Sequence, residues 1–402
     1  MVLGELEREV RAMRDYPLAT TTWDSKEYAA MQDVIASGNF TMGKKVAEFE
    51  GQFAAHFKSN FAVMSNSGSS ANLLALAAIR YSSHNPNDSR DEVIVPAVSW
   101  STTYYPITQL GFKLKFVDVD LETLNASVDA ISAAITPKTA GIVVVNLLGN
   151  PSQLTEIRQL ADQHALFMIE DNCESMGATY DGKFAGTFGE IGTFSSFFSH
   201  HISTMEGGLS VTNSLELKQV MTSLRAHGWT RELPSENFVH DKTGDDFEDL
   251  FRFVLPGYNV RPLELEGAIG TEQLKKLDSI VSGRRANAVK FLALMQKFPE
   301  IQTQRELGTS SWFGFSLVLT GKQVGRRADL VKALKNEAIA VRPIVAGNFT
   351  KNPVLKHLPH VELGSLKNAG QVHDDGLFIG NHHYEMQHEF ELLESALTAF
   401  FK

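Results

Sequence analysis

Residues 44–57 alternate apolar and polar positions with a helical period, and a short apolar run, Phe61-Ala62-Val63-Met64, follows. That run meets Ser65-Asn66-Ser67-Gly68-Ser69-Ser70, and the alanine- and leucine-rich stretch 71–80 predicts a second helix. A strand, a Gly/Ser turn and a helix start in that order present free backbone N–H groups to an anion. Apolar runs recur at 92–95, 115–119, 141–146 and 166–169, with helical patterns at 128–135 and 154–164 between them. This rhythm predicts an α/β fold, a largely parallel sheet wrapped by helices. Polar or aromatic groups just past the strands (Trp100, Asn146 and Asp171) then occupy the natural ligand positions. Residues 230–251 are charged and poor in apolar groups, which predicts a long loop or lid. A helix at 263–277, an apolar run at 313–319, a helix at 331–338 and a strand at Val341 predict a small α+β C-terminal domain. The expected division is 1–265 and 266–402.

Composition narrows the class. With 37 basic and 47 acidic residues the net charge is −10, which argues against nonspecific binding to nucleic acid or anionic membranes. The lone cysteine, Cys173, excludes an internal disulfide framework and predicts a cytoplasmic, reducing setting. Residues 1–16 lack an apolar signal-peptide core and read as an amphipathic helix. No long uncharged apolar run predicts a membrane span.

Several residues carry candidate chemistry, each with a plainer alternative. Ser69 and Ser70 suit a phosphate, or belong to an ordinary Ser-capped helix start. Asp171, ending an apolar strand, suits a protonated pyridine nitrogen, or caps the next helix. Trp100 is placed to stack on a flat ring, or is a rim tryptophan. The pair His200-His201 raises the question of a metal site with His227, His382 and His383, but adjacent histidines in an extended chain face opposite ways and no metal-binding spacing accompanies them; no metal is expected. Pro256-Gly257-Tyr258-Asn259-Val260-Arg261-Pro262 is rich in hydrogen-bonding groups, or is simply a hinge.

Taken in order, the anion turn, the aromatic, the strand-end Asp171, the segment Ser195 to Gly208 and the Tyr-Asn-x-Arg turn resemble the DegT/DnrJ/EryC1/StrS aminotransferase family over nearly the whole chain. The resemblance implies the fold-type-I, aspartate aminotransferase-like architecture and pyridoxal phosphate (PLP). It implies that Ser69, Ser70 and Ser195 bind the phosphate, that Trp100 stacks on the ring and that Asp171 pairs its nitrogen. Asn259 would reach the cofactor of a neighbouring copy, so a homodimer with shared sites is expected. Most relatives have Gln three residues after the Asp; here Glu174 stands there, expected near the ring hydroxyl.

One departure matters most. The family places a lysine six residues before the Glu of Glu-Gly-Gly, and here Glu206-Gly207-Gly208 is preceded by His200. Imidazole cannot anchor PLP as a Schiff base, but it moves protons near neutral pH. Longer stretches, among them Arg225-Ala226-His227-Gly228-Trp229-Thr230-Arg231, resemble the branch that dehydrates nucleotide sugars. The expectation is a dehydratase with non-covalent PLP or pyridoxamine phosphate (PMP). It would remove the C3 hydroxyl of a 4-keto-6-deoxy sugar, GDP-linked, and take nitrogen from L-glutamate. His227, Trp229, Arg231 and Arg342 are the expected substrate contacts. Rival expectations are an aminotransferase drawing on Lys183 or Lys218, and an idle PLP-fold protein. Relatives that pass electrons through an iron–sulfur cluster to a reductase use cysteine ligands, and one cysteine cannot build such a cluster, so no reductase partner is expected.

Overall fold

The computed structural model describes residues 15–86 and 89–402, so the expected N-terminal helix lies outside the described residues except for its last two positions. The strands of the first half are β1 (Phe61–Ser65), β2 (Glu92–Pro96), β3 (Lys113–Val117), β4 (Thr139–Val145) and β5 (Phe167–Asp171). A small hairpin, β6 (Thr179–Tyr180) and β7 (Lys183–Phe184), precedes β8 (Ile191–Ser195) and β9 (Gly208–Thr212). Seven of them form one sheet in the order β1-β9-β8-β5-β4-β2-β3. Neighbours from β3 across to β8 are parallel, and only β9 runs the other way, pairing with β8 and β1. Strands β2, β4 and β5 are buried along their whole length, as expected of parallel strands covered on both faces. β3 is an edge strand with exposed Lys113, so its true start is polar and falls two residues before the apolar run that marks it in the sequence.

The Gly/Ser turn starts its helix earlier than the alanine run suggests. The helix spans Gly68–Arg80, with Ser67 as N-cap accepting from the Ser70 N–H. A Cβ at position 68 would lie 2.6 Å from the Cβ of Ser195, so glycine is what lets β8 approach the helix start.

The second sheet comprises β10 (Ile301–Gln302), β11 (Gly314–Leu319), β12 (Val341–Arg342) and β13 (Gly376–Gly380), antiparallel throughout in the order β10-β11-β13-β12. The helix expected at 331–338 spans Arg327–Asn336. The pattern at 263–277 proves to be two helices, Glu264–Leu274 and the long Leu277–Met295. The first packs on the helix Lys44–His56, whose N-terminal N–H groups at Lys45 and Val46 are accepted by the Glu264 carboxylate. The second serves both cores: Leu277, Ile280 and Val281 pack with the large sheet, while Phe291, Leu294 and Met295 pack with the second. The chain thus passes from one core to the other within this helix, beyond residue 265. Residues 230–251 contain a single short helix, Asp246–Asp249, and a bridge between Trp229 and Phe253 closes the base of the loop. Among the described residues no helix is long and apolar enough to cross a membrane.

Candidate active site

A cavity of about 650 Å³ opens where β2, β4, β5 and β8 end, beside the start of the helix Gly68–Arg80. Arg342 and Phe378 of the second sheet close it, with Phe313 just before β11. Of the residues singled out in the sequence, Ser69, Trp100, Asp171, Glu174, Ser195, His200 and Arg342 line this one space.

Asp171 is buried at the end of β5 and is tightly held. Its Oδ2 accepts from Asn72 Nδ2 at 2.9 Å and Thr103 Oγ1 at 2.8 Å, and its Oδ1 accepts from the Cys173 N–H at 3.1 Å. A carboxylate so fixed at a cavity wall suits a cationic ring nitrogen. Trp100 follows β2 as the N-cap of the helix Ser101–Gln109 and remains 57% exposed, a free aromatic face at the cavity. Ser195 ends β8 and Ser69 lies in the first turn of the Gly68–Arg80 helix, so two hydroxyls and a helix N-terminus converge. A phosphate, a flat ring and a protonated ring nitrogen, the three parts of a phosphorylated pyridine, each find a matching group. Ser70 does not line the cavity. Its Oγ donates to Asn66 Oδ1 at 2.7 Å and its N–H is taken by Ser67, so it finishes the cap instead.

Glu174 sits on the cavity wall and accepts from the Leu148 N–H at 3.0 Å. Burial, reinforced by the nearby Asp171 charge, raises its pKa to about 7, against the pull of that N–H. Leu148 itself holds φ at 53°, a left-handed conformation rare for leucine, which directs its N–H at this carboxylate.

The two histidines separate cleanly. His201 is fully buried, with Nε2 3.1 Å from the Ser311 carbonyl, and plays no part in the cavity wall. His200 faces the cavity, with Nδ1 3.3 Å from the Ser195 carbonyl. That contact assigns the proton to Nδ1 and leaves Nε2 with its lone pair. Enclosure by protein pulls the His200 pKa down to about 4, with the Ser195 carbonyl and Asp171 opposing and Arg284 adding to the fall. The imidazole is neutral at pH 7 and available as a base. Among the described residues no lysine contributes to the cavity wall, and Lys183, on the β6–β7 hairpin, and Lys218, on the helix Leu215–Arg225, are both placed elsewhere.

His227, Trp229, Arg231 and Asn259 lie outside this cavity. They form a cluster of their own. The His227 and Trp229 rings are 5.2 Å apart, the Arg231 and Arg261 guanidinium carbons are 5.4 and 5.8 Å from the Trp229 ring, and exposed Asn259 accepts from Arg261 Nε. His382 and His383 are not gathered with the other histidines; among the described residues no group of three His, Cys, Asp or Glu is arranged to hold a metal ion. Sequence reading missed Asn72 and Thr103, which orient Asp171, and Phe313, which packs against His200. Asn72 and Thr103 look like ordinary helix residues until the helices that follow β1 and β2 are brought against the end of β5. Phe313 arrives just before β11, 113 positions after His200 by numbering (313 minus 200).

The family model of the DegT/DnrJ/EryC1/StrS aminotransferases matches residues 21–390. GDP-4-keto-6-deoxy-D-mannose 3-dehydratase of Escherichia coli O55:H7 is 50% identical over 387 residues, covering 96% of this chain and 100% of its own. The enzyme of the same name from Yersinia pseudotuberculosis is 50% identical over 389 residues, covering 96% and 99%. A crystal structure of GDP-4-keto-6-deoxymannose-3-dehydratase with a trapped PLP-glutamate geminal diamine superposes with a TM-score of 0.93, at 50% identity, over 95% of this chain and 100% of that one. The fold-type-I architecture expected from the sequence is therefore present, and the chain belongs to the DegT/DnrJ/EryC1/StrS aminotransferase family.

Proposed function

We propose that the protein is a PLP/PMP-dependent dehydratase that removes the C3 hydroxyl of GDP-4-keto-6-deoxymannose. L-Glutamate supplies the nitrogen, and the products are the 3-deoxy-4-keto sugar, 2-oxoglutarate and ammonia. The observation that carries the reading is His200 standing in a cavity to which no lysine among the described residues contributes. The names of the relatives that are 50% identical over nearly the full chain support the GDP-linked substrate.

The bound cofactor would supply an electron sink at the sugar's C4. Ser69 and Ser195 hold its phosphate, Trp100 covers one face of its ring and Asp171 keeps the ring nitrogen protonated. Trp100, Phe313 and Phe378 limit water at the reacting atoms. His200, neutral at rest, takes the proton at the cofactor's C4′ carbon and delivers a proton to the departing C3 oxygen. Such positioned acid–base work contributes roughly 10²–10⁴-fold. No side chain here can displace the product amine as lysine would, so water releases it and the nitrogen leaves as ammonia. Two copies share the work as a homodimer, with Asn259, His227, Trp229 and Arg231 completing the site of the partner and Arg342 meeting the substrate at the rim. The lone Cys173 fits a cytosolic enzyme.

The test is mass spectrometry of the products from GDP-4-keto-6-deoxymannose, PLP and glutamate. A nucleotide sugar short of one oxygen, with matching 2-oxoglutarate and ammonia, is expected. A stable 4-amino sugar would make the protein an aminotransferase. Borohydride reduction should leave every lysine unlabelled.

A further inference from the structure

The helix Leu277–Met295 carries a buried cation with no counter-charge. Arg284 is 5% exposed, and one Nη donates to the Phe313 carbonyl at 2.7 Å. Its Nε, also buried, has no partner, and among the described residues no carboxylate lies within ion-pair distance. Burial alone acts on its pKa, bringing it down to about 10. An uncompensated buried guanidinium costs stability, so its presence calls for another reason.

Its surroundings supply one. The Arg284 guanidinium carbon lies 5.8 Å from the centre of the Phe313 ring. The His200 imidazole meets the same ring edge-on, with centroids 5.3 Å apart at 85°. Arg284 therefore stands one aromatic ring from the imidazole, in a region of low polarisability where a charge carries far. We propose that Arg284 is a tuning residue for His200: its fixed positive charge keeps the imidazole unprotonated at rest and makes it a stronger acid once it has taken a proton. One group must first be a base and then protonate a poor leaving group, and a nearby cation favours the second half: it weakens the imidazole as a base and strengthens the imidazolium as an acid. The proposal rests on the dehydratase reading of His200.

The other groups facing His200 are known. Asp171, at the end of β5, favours the protonated form, as does the Ser195 carbonyl, and neutral His201 is its neighbour in the chain. Glu174, Glu206 and the cation Arg342 line the same cavity, and a bound phosphate would oppose Arg284 as well. The Arg284 charge also lowers the pKa of His201, His382 and His383. All of these groups remain when Arg284 is replaced, so a substitution isolates its share.

The experiment titrates the imidazole of His200 by NMR in the full-length, histidine-labelled protein, with and without PLP, the signal being assigned by its loss in His200→Asn. Arg284→Met should raise the apparent pKa of His200 by ~1 unit and Arg284→Lys should leave it near the wild-type value. The acid limb of kcat/KM should move to higher pH by the same amount in Arg284→Met. Should that variant not fold, Arg284→Gln, which keeps a donor for the Phe313 carbonyl, gives the same reading. An unchanged His200 titration in the charge-free variant overturns the proposal. A His200→Asn protein that still dehydrates at the wild-type rate would instead overturn the role of His200 as the acid–base group, and a wild-type protein that yields a stable 4-amino sugar would overturn the dehydratase reading, whatever Arg284 does to the titration.

Discussion

The cavity and the surface around Trp229 differ in how well their polar atoms are matched. In the cavity the Asp171 carboxylate receives three donors, and Asn72, which supplies one of them, is itself fixed by Thr193. Around Trp229, by contrast, the indole Nε1, Thr230 Oγ1, Ser223 Oγ and Arg225 Nε are buried without partners. Two guanidinium groups crowd the indole, and Asn259 is open to solvent. Buried polar atoms are normally satisfied. The Asp171 carboxylate is thus fully matched by its neighbours, whereas the region around Trp229 keeps buried polar atoms without partners among the described residues.

The largest effect should come from breaking the well-matched region. His200→Asn keeps a side chain of similar size but removes the base, and turnover should fall by ~10³-fold. PLP affinity, followed by the cofactor's absorbance on dialysis, should change little, because Ser69, Ser195, Trp100 and Asp171 remain. A parallel loss of cofactor would show that His200 holds the ring rather than moving protons.

How much of this was legible beforehand depends on the distance over which each feature is encoded. Strands β2, β4 and β5 themselves were accessible, because buried parallel strands are continuous apolar runs, but their order in the sheet was not. The polar start of edge strand β3 was not, since Lys113 and Lys115 interrupt its apolar side. Asp171 and Trp100 could be picked out because each sits at or just past a strand end, a local feature, and Ser195 through the resemblance to the family. Asn72 and Thr103 could not, because their role exists only when the helices after β1 and β2 lean on the end of β5. Ser69 and Ser70 could not be told apart in the sequence: the chain offers two serines after Gly68, and only the geometry of the cap shows that Ser67 engages the second. Arg284 was invisible for a similar reason, since it reaches His200 only through Phe313, just before β11.

The region around Trp229 gives a smaller effect with a sharper form. Asn259→Ala should weaken PLP binding ~10-fold through one lost phosphate contact. At PLP below that weakened affinity the variant is nearly idle, as is His200→Asn. Mixed, unfolded and refolded together, the two should recover about a quarter of wild-type activity, since half of randomly paired dimers contain one intact site. No recovery, with mixed dimers demonstrated by mass, would place Asn259 in its own chain's site and dissolve the contrast between the two regions.

The smallest effect tests whether the well-matched region is also optimised for stability. Glu174 is held in its protonated form up to about pH 7 by burial and by Asp171. Its folded-state pKa is therefore above the ordinary carboxylate value of 4.5. A group of this kind contributes its full share of stability below the unfolded-state pKa and loses it as pH rises through the folded-state pKa. Glu174→Gln mimics the protonated form and has nothing to lose. The variant should match the wild type near pH 4 and become more stable than it between pH 4.5 and 7, levelling off at about 1 kcal/mol, a value reduced for the access of cavity water to the carboxylate. Urea unfolding of the cofactor-free proteins at pH 4, 6 and 8 measures the difference. Equal stability at all three would mean that the cavity solvates Glu174 as bulk water does. A gain absent at pH 4, present at pH 6 and larger at pH 8 would show that this chain keeps a buried carboxylate near Asp171 where an amide would fold better, which places the reason for Glu174 in the chemistry of the site.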